Sequence, residues 1–214
     1  MNMTTCIAGI QYLPSIEYFA HWVHHGHIVF EIHEHYQKRT WRNKTLILGT
    51  NNALPITVPL RKGKNHEMFI TKVEISYDEI WTKVHMNSIR TAYGKTAFFN
   101  ELEDDLVSIY KSTPKYLWEL NLQFILLILS YLPGEWNIEY TQSFQAVMPE
   151  STIDLRKGVP GGQTSLLKSS YPFYEQIHHF TDSHLSNLSI LDVLCHLGPG
   201  SFDYLKHYAA KLYQ

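Results

Sequence analysis

The opening of the chain alternates in a way that few folds accept. TCIAGIQYLP (residues 5–14) reads as a short buried strand stopped by Pro14. SIEYFAHWVHH follows, with Ser15 as N-cap, Ile16, Phe19, Ala20 and Val23 at helical spacing, and Gly26 at the end. HIVFEIHEHY then alternates, placing Ile28, Phe30 and Ile32 on one side and Val29, Glu31 and His33 on the other. Strand, helix, strand in so short a span predicts a parallel βαβ unit, because parallel neighbours need a crossover.

Further along, TLILG and LPITVPL read as a hairpin turning at residues 49–52, RKGKNHE as a basic loop and ITKVEIS as another strand. Helices then take over. Asp78 is the expected cap of EIWTKVHMNSIRTAYG, where Trp81, Val84, His85, Ser88, Ile89 and Ala92 share a face. AFFNELEDDLVSIYKS is a second helix and residues 115–132 an apolar third. NIEYT adds a last strand, residues 149–163 read as a long loop, and NLSILDVLCHL and SFDYLKHYAAKL close the chain as helices. The expected class is α/β: a small mixed sheet with an N-terminal βαβ unit and a hairpin, packed with a largely helical C-terminal half.

At 214 residues the length favours one domain with a substantial core. A formal charge of -2 argues against a general nucleic-acid binder. Two distant cysteines, Cys6 and Cys195, suit a reducing compartment. The start MNMTTCIAGI has no charged n-region, and the apolar run at 120–134 falls short of the roughly 20 residues a bilayer needs. A cytoplasmic protein without a transmembrane segment is expected.

HEHYQKRTWRNK, at the end of the second strand, concentrates charge and rings. Lys38, Arg39, Arg42, Lys44, Arg61, Lys62 and Lys64 bring seven of the eighteen basic residues into two loops flanking the hairpin. Arginine forks suit phosphate or carboxylate oxygens, while a solvated, charge-decorated edge is the plainer reading. Glu34 and His35 are acid–base candidates because ligands of α/β sheets gather beyond the carboxyl ends of strands. The chain has thirteen histidines; His33 and His35 share with Glu31 a strand face too extended, at roughly 13 Å between its ends, for one ion. His21 and His25, four apart on a helix, could chelate, but no cysteine set or acidic cluster completes the site, so no metal is expected. His85 lies on the inner face of its helix with Arg90 and Tyr93 nearby, either lining a pocket or satisfied within the core. Asn121 in the apolar helix either bridges helices or reaches a cavity. No P-loop, G-x-G-x-x-G or G-x-S-x-G is present, and nothing names a cofactor.

QYLPSIEYFAHW, YQKRTWRNK, LPITVPL and WTKVHMNSIRTAYGKTAFF, in this order, resemble the WbqC-like family of bacterial proteins; NLSILDVLCHLGPGSFDYL resembles the closing motif of its Bacteroidetes-type branch. The resemblance implies a single domain over 1–214, with 1–77 mostly strands and 78–214 mostly helical. It further implies a role in surface-polysaccharide (O-antigen type) biosynthesis: binding a phosphorylated or nucleotide-linked sugar, with acyl or aminoacyl transfer to an amino sugar. A non-catalytic binding or scaffold protein of such a pathway is the alternative. The expected partner is an anionic small molecule, a nucleotide sugar or acyl donor, with a homodimer through the stripe of Tyr204, Tyr208 and Leu212 as a second expectation. By motif, His85 is a candidate catalytic residue, and it joins Glu34 and His35, the acid–base candidates at the strand end. The candidate ligand contacts are Gln11, Tyr12, Lys38, Arg39, Trp41, Arg42, Asn43, Trp81, Arg90, Tyr93 and Asn121. Pro14 and Asn187 also match the motifs. Many relatives begin H-Q-P-x-Y/F-x-P, whereas this chain has GIQYLP, with Ile10 in place of the histidine.

Overall fold

A computed structural model describes residues 5–50, 52–149, 152–158, 172–177 and 185–214. The βαβ opening forms as the sequence dictates: β1 (Thr5–Ala8), α1 (Ile16–His25) and β2 (His27–Phe30), with β1 and β2 parallel. The Ser15 hydroxyl accepts from the Tyr18 N–H, and Gly26, at φ 68°, ends the helix by donating to the Trp22 carbonyl. The hairpin is β3 (Lys44–Ile47) and β4 (Leu54–Thr57), antiparallel and separate from the main sheet.

Three helices follow: α2 (Trp81–Tyr93), α3 (Phe99–Ser112) and α4 (Leu117–Ser130). β5 (Asn137–Tyr140) then adds beside β2, and β6 (Thr152–Leu155) beside β1. The resulting sheet has the order β5-β2-β1-β6 and is parallel throughout. Last come α5 (Ile190–Leu197) and α6 (Ser201–Leu212).

Several local expectations change. ITKVEIS is not a strand: Ile70–Lys72 is a 3-10 turn, and only single bridges tie Leu60 to Ile75 and Glu74 to Tyr116. Asp78 does not cap α2, which starts after Ile80; its carboxylate instead accepts from the Ser76 hydroxyl. Val84 points outward, because Met86 takes the inner face beside His85 and Ile89. The segment read as a loop at 149–163 contains β6, and its residues 150–151 and 159–163 lie outside the described residues. The tyrosine stripe of α6 is spent inside the chain: Tyr204 and Tyr208 are buried, and the Tyr208 hydroxyl donates to Glu17 on α1. That packing removes the surface on which a dimer was expected.

The core begins under α1, where Tyr18, Phe19 and Phe30 surround Trp22 with ring centroids 5.2–5.4 Å away. It continues through α2 to α4 and into α5 and α6. Asn187, at φ 51°, accepts from the Glu17 N–H and so braces the first turn of α1. Among the described residues no helix is long and apolar enough to cross a membrane.

Candidate functional site

A cleft of about 910 Å³ opens beyond the carboxyl ends of the parallel strands, where the residues following β2, β5 and β6 meet. Its geometry starts with the chain reversal after β2. The segment at 34–36 is fastened to 68–70, with Ile70 N donating to the Glu34 carbonyl and Tyr36 N to that of Met68. Arg39 then adopts φ 60°, a left-handed conformation that costs a non-glycine residue roughly 1–3 kcal/mol. Thr40 closes the turn onto Gln37. The outcome is that Arg42 returns to Glu34.

Arg42 grips Glu34 with both arms, Nε to Oε1 at 2.9 Å and Nη2 to Oε2 at 2.6 Å, and both residues are buried. Its Nη2 also donates to the Arg156 carbonyl. Arg156 in turn forks Asp154, at 2.9 and 2.7 Å, and stands 3.6 Å from Glu31. Glu31 is wholly buried, with one oxygen accepting from His33 N and Thr141 Oγ1 and the other without a hydrogen-bond partner among the described residues. Three carboxylates therefore face two guanidiniums. Burial pushes the Glu34 carboxyl above its usual range, and Arg42 limits the rise. The Arg156 fork holds Asp154 below its usual range.

The walls are aromatic. His35 stacks on Phe69 at 4.8 Å, and Phe144 lies over the Arg156 guanidinium at 5.2 Å. Phe69 and Phe144 are about half exposed, and Lys157, His33 and His66 also line the space. Gly9 permits this packing: a Cβ there would lie 3.0 Å from Glu34 Oε1, 3.1 Å from the Arg156 carbonyl and 3.2 Å from Arg42 Nη2. These neighbours hold one another, so Gly9→Ala is expected to cost about 1–3 kcal/mol, read from its urea midpoint. A midpoint equal to wild type would show that the ion pair can give way.

The remaining candidates divide between this floor and the interior. Gln11 and Trp41 pack behind Gly158, and the Gln11 Nε2 is buried without a hydrogen-bond partner among the described residues. Lys38 and Arg39 are exposed on the turn after Gln37, which lines the cleft. Lys44 lies over the Trp41 ring at 4.4 Å. Asn121, fully buried, donates to the Arg42 carbonyl at 2.7 Å, so α4 braces the turn. Asn43 joins Tyr36 to the Val58 carbonyl.

His85 is elsewhere. Its Nδ1 meets the Tyr12 hydroxyl at 2.8 Å, in a nest with Trp81, Tyr110 and Phe124. Burial lowers its pKa to about 4, against a hydrogen bond to the Thr57 backbone that works the other way. The Trp81 indole donates to the Ser76 carbonyl, Tyr93 accepts from Leu48 N, and Arg90 pairs with Glu103 on α3. None of these lines the cleft.

The sequence reading missed Gly9, beneath the ion pair, and cleft residues that include Phe69, Phe144, Asp154, Arg156 and Lys157. The last three sit at the end of β6, so the strand-end rule that singled out Glu34 reaches them once TIDL is recognised as a strand. Among the described residues no three His, Cys, Asp or Glu side chains gather as a metal would need. Cys6 and Cys195 are free and buried, and burial raises both thiols, Cys6 to about 12.

Comparison with known proteins gives a match between residues 10–164 and a family model described as the WbqC-like protein family. The span is well over half of the chain and includes Glu34, Arg42 and Arg156. The uncharacterized protein Rv1507c of Mycobacterium tuberculosis is similar, 33% identical over 99 residues, which is 45% of this chain and 42% of that protein. The match thus spans less than half of the relative's length. No solved structure matches.

Proposed function

The chain belongs to the WbqC-like protein family, and on that footing we propose that its cleft binds an activated amino sugar of a surface-polysaccharide pathway and promotes acyl or aminoacyl transfer to the amine. The observation that carries the reading is the charge imbalance of the floor: Glu31, Glu34 and Asp154 against Arg42 and Arg156, between aromatic walls. An excess carboxylate attracts a ligand ammonium, and Phe69 with His35, or Phe144, offers a face to a sugar or base ring. Lys157 and the histidines at the mouth suit the phosphate of a nucleotide carrier. Arg42, committed to Glu34, is a positioning residue.

Glu34 is the proposed general base and His35 its assistant at the lip. An ammonium must lose a proton before its nitrogen attacks an acyl carbon; Glu34, raised by burial, receives it. The C–N bond then forms as the donor's leaving group departs. The two-armed lock on Glu34 favours a second reading, a binding protein without turnover, in which the same ligand binds and no acyl group moves.

Thermal shift with nucleotide-linked amino sugars tests the proposal. A ligand at 100 times its dissociation constant should add about 2.7 kcal/mol of stability, and its N-acetylated counterpart should bind at least about tenfold more weakly for want of the ammonium. Equal binding of the two, or none by either, would sink the idea. Phe69→Ala should abolish the shift while changing the unliganded stability by no more than about 0.5 kcal/mol, since the ring is exposed.

A further inference from the structure

Far from the cleft, the end of α1 holds a second cluster. His21 Nδ1 and His25 Nε2 both point at one atom, the Tyr213 hydroxyl just beyond α6, at 2.6 and 2.7 Å. Their spacing of four residues puts them on one helix face. His24 stacks flat on the Tyr213 ring, with centroids 4.0 Å apart and planes 13° apart, which fixes the plane of the phenol. His21 is buried, whereas His24 is exposed and Tyr213 is 37% exposed, so the group opens to solvent.

We propose that His21, His25 and Tyr213 form a binding site for a divalent transition-metal ion, zinc or copper, that clips α6 to α1. Two imidazole nitrogens gathered around one phenol oxygen make a donor set suited to these ions. A tetrahedral ion with bonds of about 2.0 Å separates its ligands by about 3.3 Å. Each histidine-to-phenol distance must therefore open by roughly 0.6 Å, and Tyr213, outside the helix, can slide along the His24 ring to allow it. On binding, the phenol O–H gives its proton to water as the oxygen–metal bond forms, and a water takes the fourth position.

The test is titration of untagged protein with zinc and with copper, followed by calorimetry and visible absorption. One ion per chain is expected, together with a phenolate-to-copper charge-transfer band. His25→Gln and Tyr213→Phe, both partly exposed and therefore tolerant of change, should each weaken binding at least tenfold, and the second should erase the band. Zinc should raise the melting temperature of the wild type and of neither variant. Absence of saturable binding, or wild-type affinity retained in both variants, overturns the proposal. Loss of affinity in His25→Gln alone, with no band in the wild type, overturns the assignment of Tyr213.

Discussion

Arg42→Met is expected to unfold with about 3–5 kcal/mol less free energy than wild type at neutral pH, measured by urea denaturation. The methionine keeps the apolar stem but strands the Glu34 carboxylate, which is 4% exposed and owes both of its oxygen contacts to Arg42. It also frees the Arg156 carbonyl, losing the tie between the turn and β6. Glu34 responds by holding its proton more tightly. A carboxyl raised in the folded state lends stability at low pH and withdraws it as pH rises through the folded value, so the variant's deficit should shrink on acidification. The double variant Arg42→Met/Glu34→Leu should recover most of the loss, because a buried pair is often no more stabilising than apolar groups of the same shape. That double variant separates roles: it should fold and, keeping the excess carboxylate of Glu31 and Asp154 over Arg156, still bind the amino-sugar ligand while transferring no acyl group. A double variant as unstable as Arg42→Met would mean that the guanidinium matters through Arg156 rather than through Glu34.

The turn that makes this pair also shows what could be read from the chain and what could not. HEHYQKRTWRNK stands out by composition, and its place after β2 follows from strand-end logic. Its arginine roles do not. Composition offers Arg42 as a free phosphate fork, yet the left-handed Arg39 folds the segment back so that Arg42 neutralises a residue eight positions earlier. No local pattern announces such a reversal at an arginine, because left-handed backbone is usually marked by glycine or asparagine. β6 is hidden for a different reason: TIDL is four residues long, half exposed, and flanked by charge, so it has no periodicity to detect. By contrast, α1 carries its caps and apolar stripe in sequence and is placed correctly by both. His85 was legible as buried from its helix face. Its partner, Tyr12, lies 73 positions away and has no signature.

His85 and His21 set the second large effect, a loss of stability between pH 7 and pH 5. Burial lowers each from an ordinary value near 6.5 to about 4 in the folded chain. A histidine depressed by folding costs nothing above the unfolded pKa. As pH falls below 6.5 the unfolded chain takes up a proton that the folded chain refuses, and the cost grows until pH passes about 4. At pH 5 each such residue removes about 2 kcal/mol, and the pair about 4 kcal/mol. His25, also lowered to about 4, adds less because it is more open to water and its charge is screened. Glu34 opposes the trend, since a raised carboxyl favours the folded state on the acid side. Among the described residues, the groups against His85 are Tyr12, Trp81, Tyr110 and the Thr57 backbone, none of which can neutralise an imidazolium. His85→Gln should therefore cost about 1–3 kcal/mol at pH 7 through its hydrogen bond to Tyr12, yet its drop from pH 7 to pH 5 should be about half that of the wild type. Urea midpoints at the two pH values decide the matter: an undiminished drop in His85→Gln would mean that His85 titrates in the folded state and that the aromatic nest admits the charge.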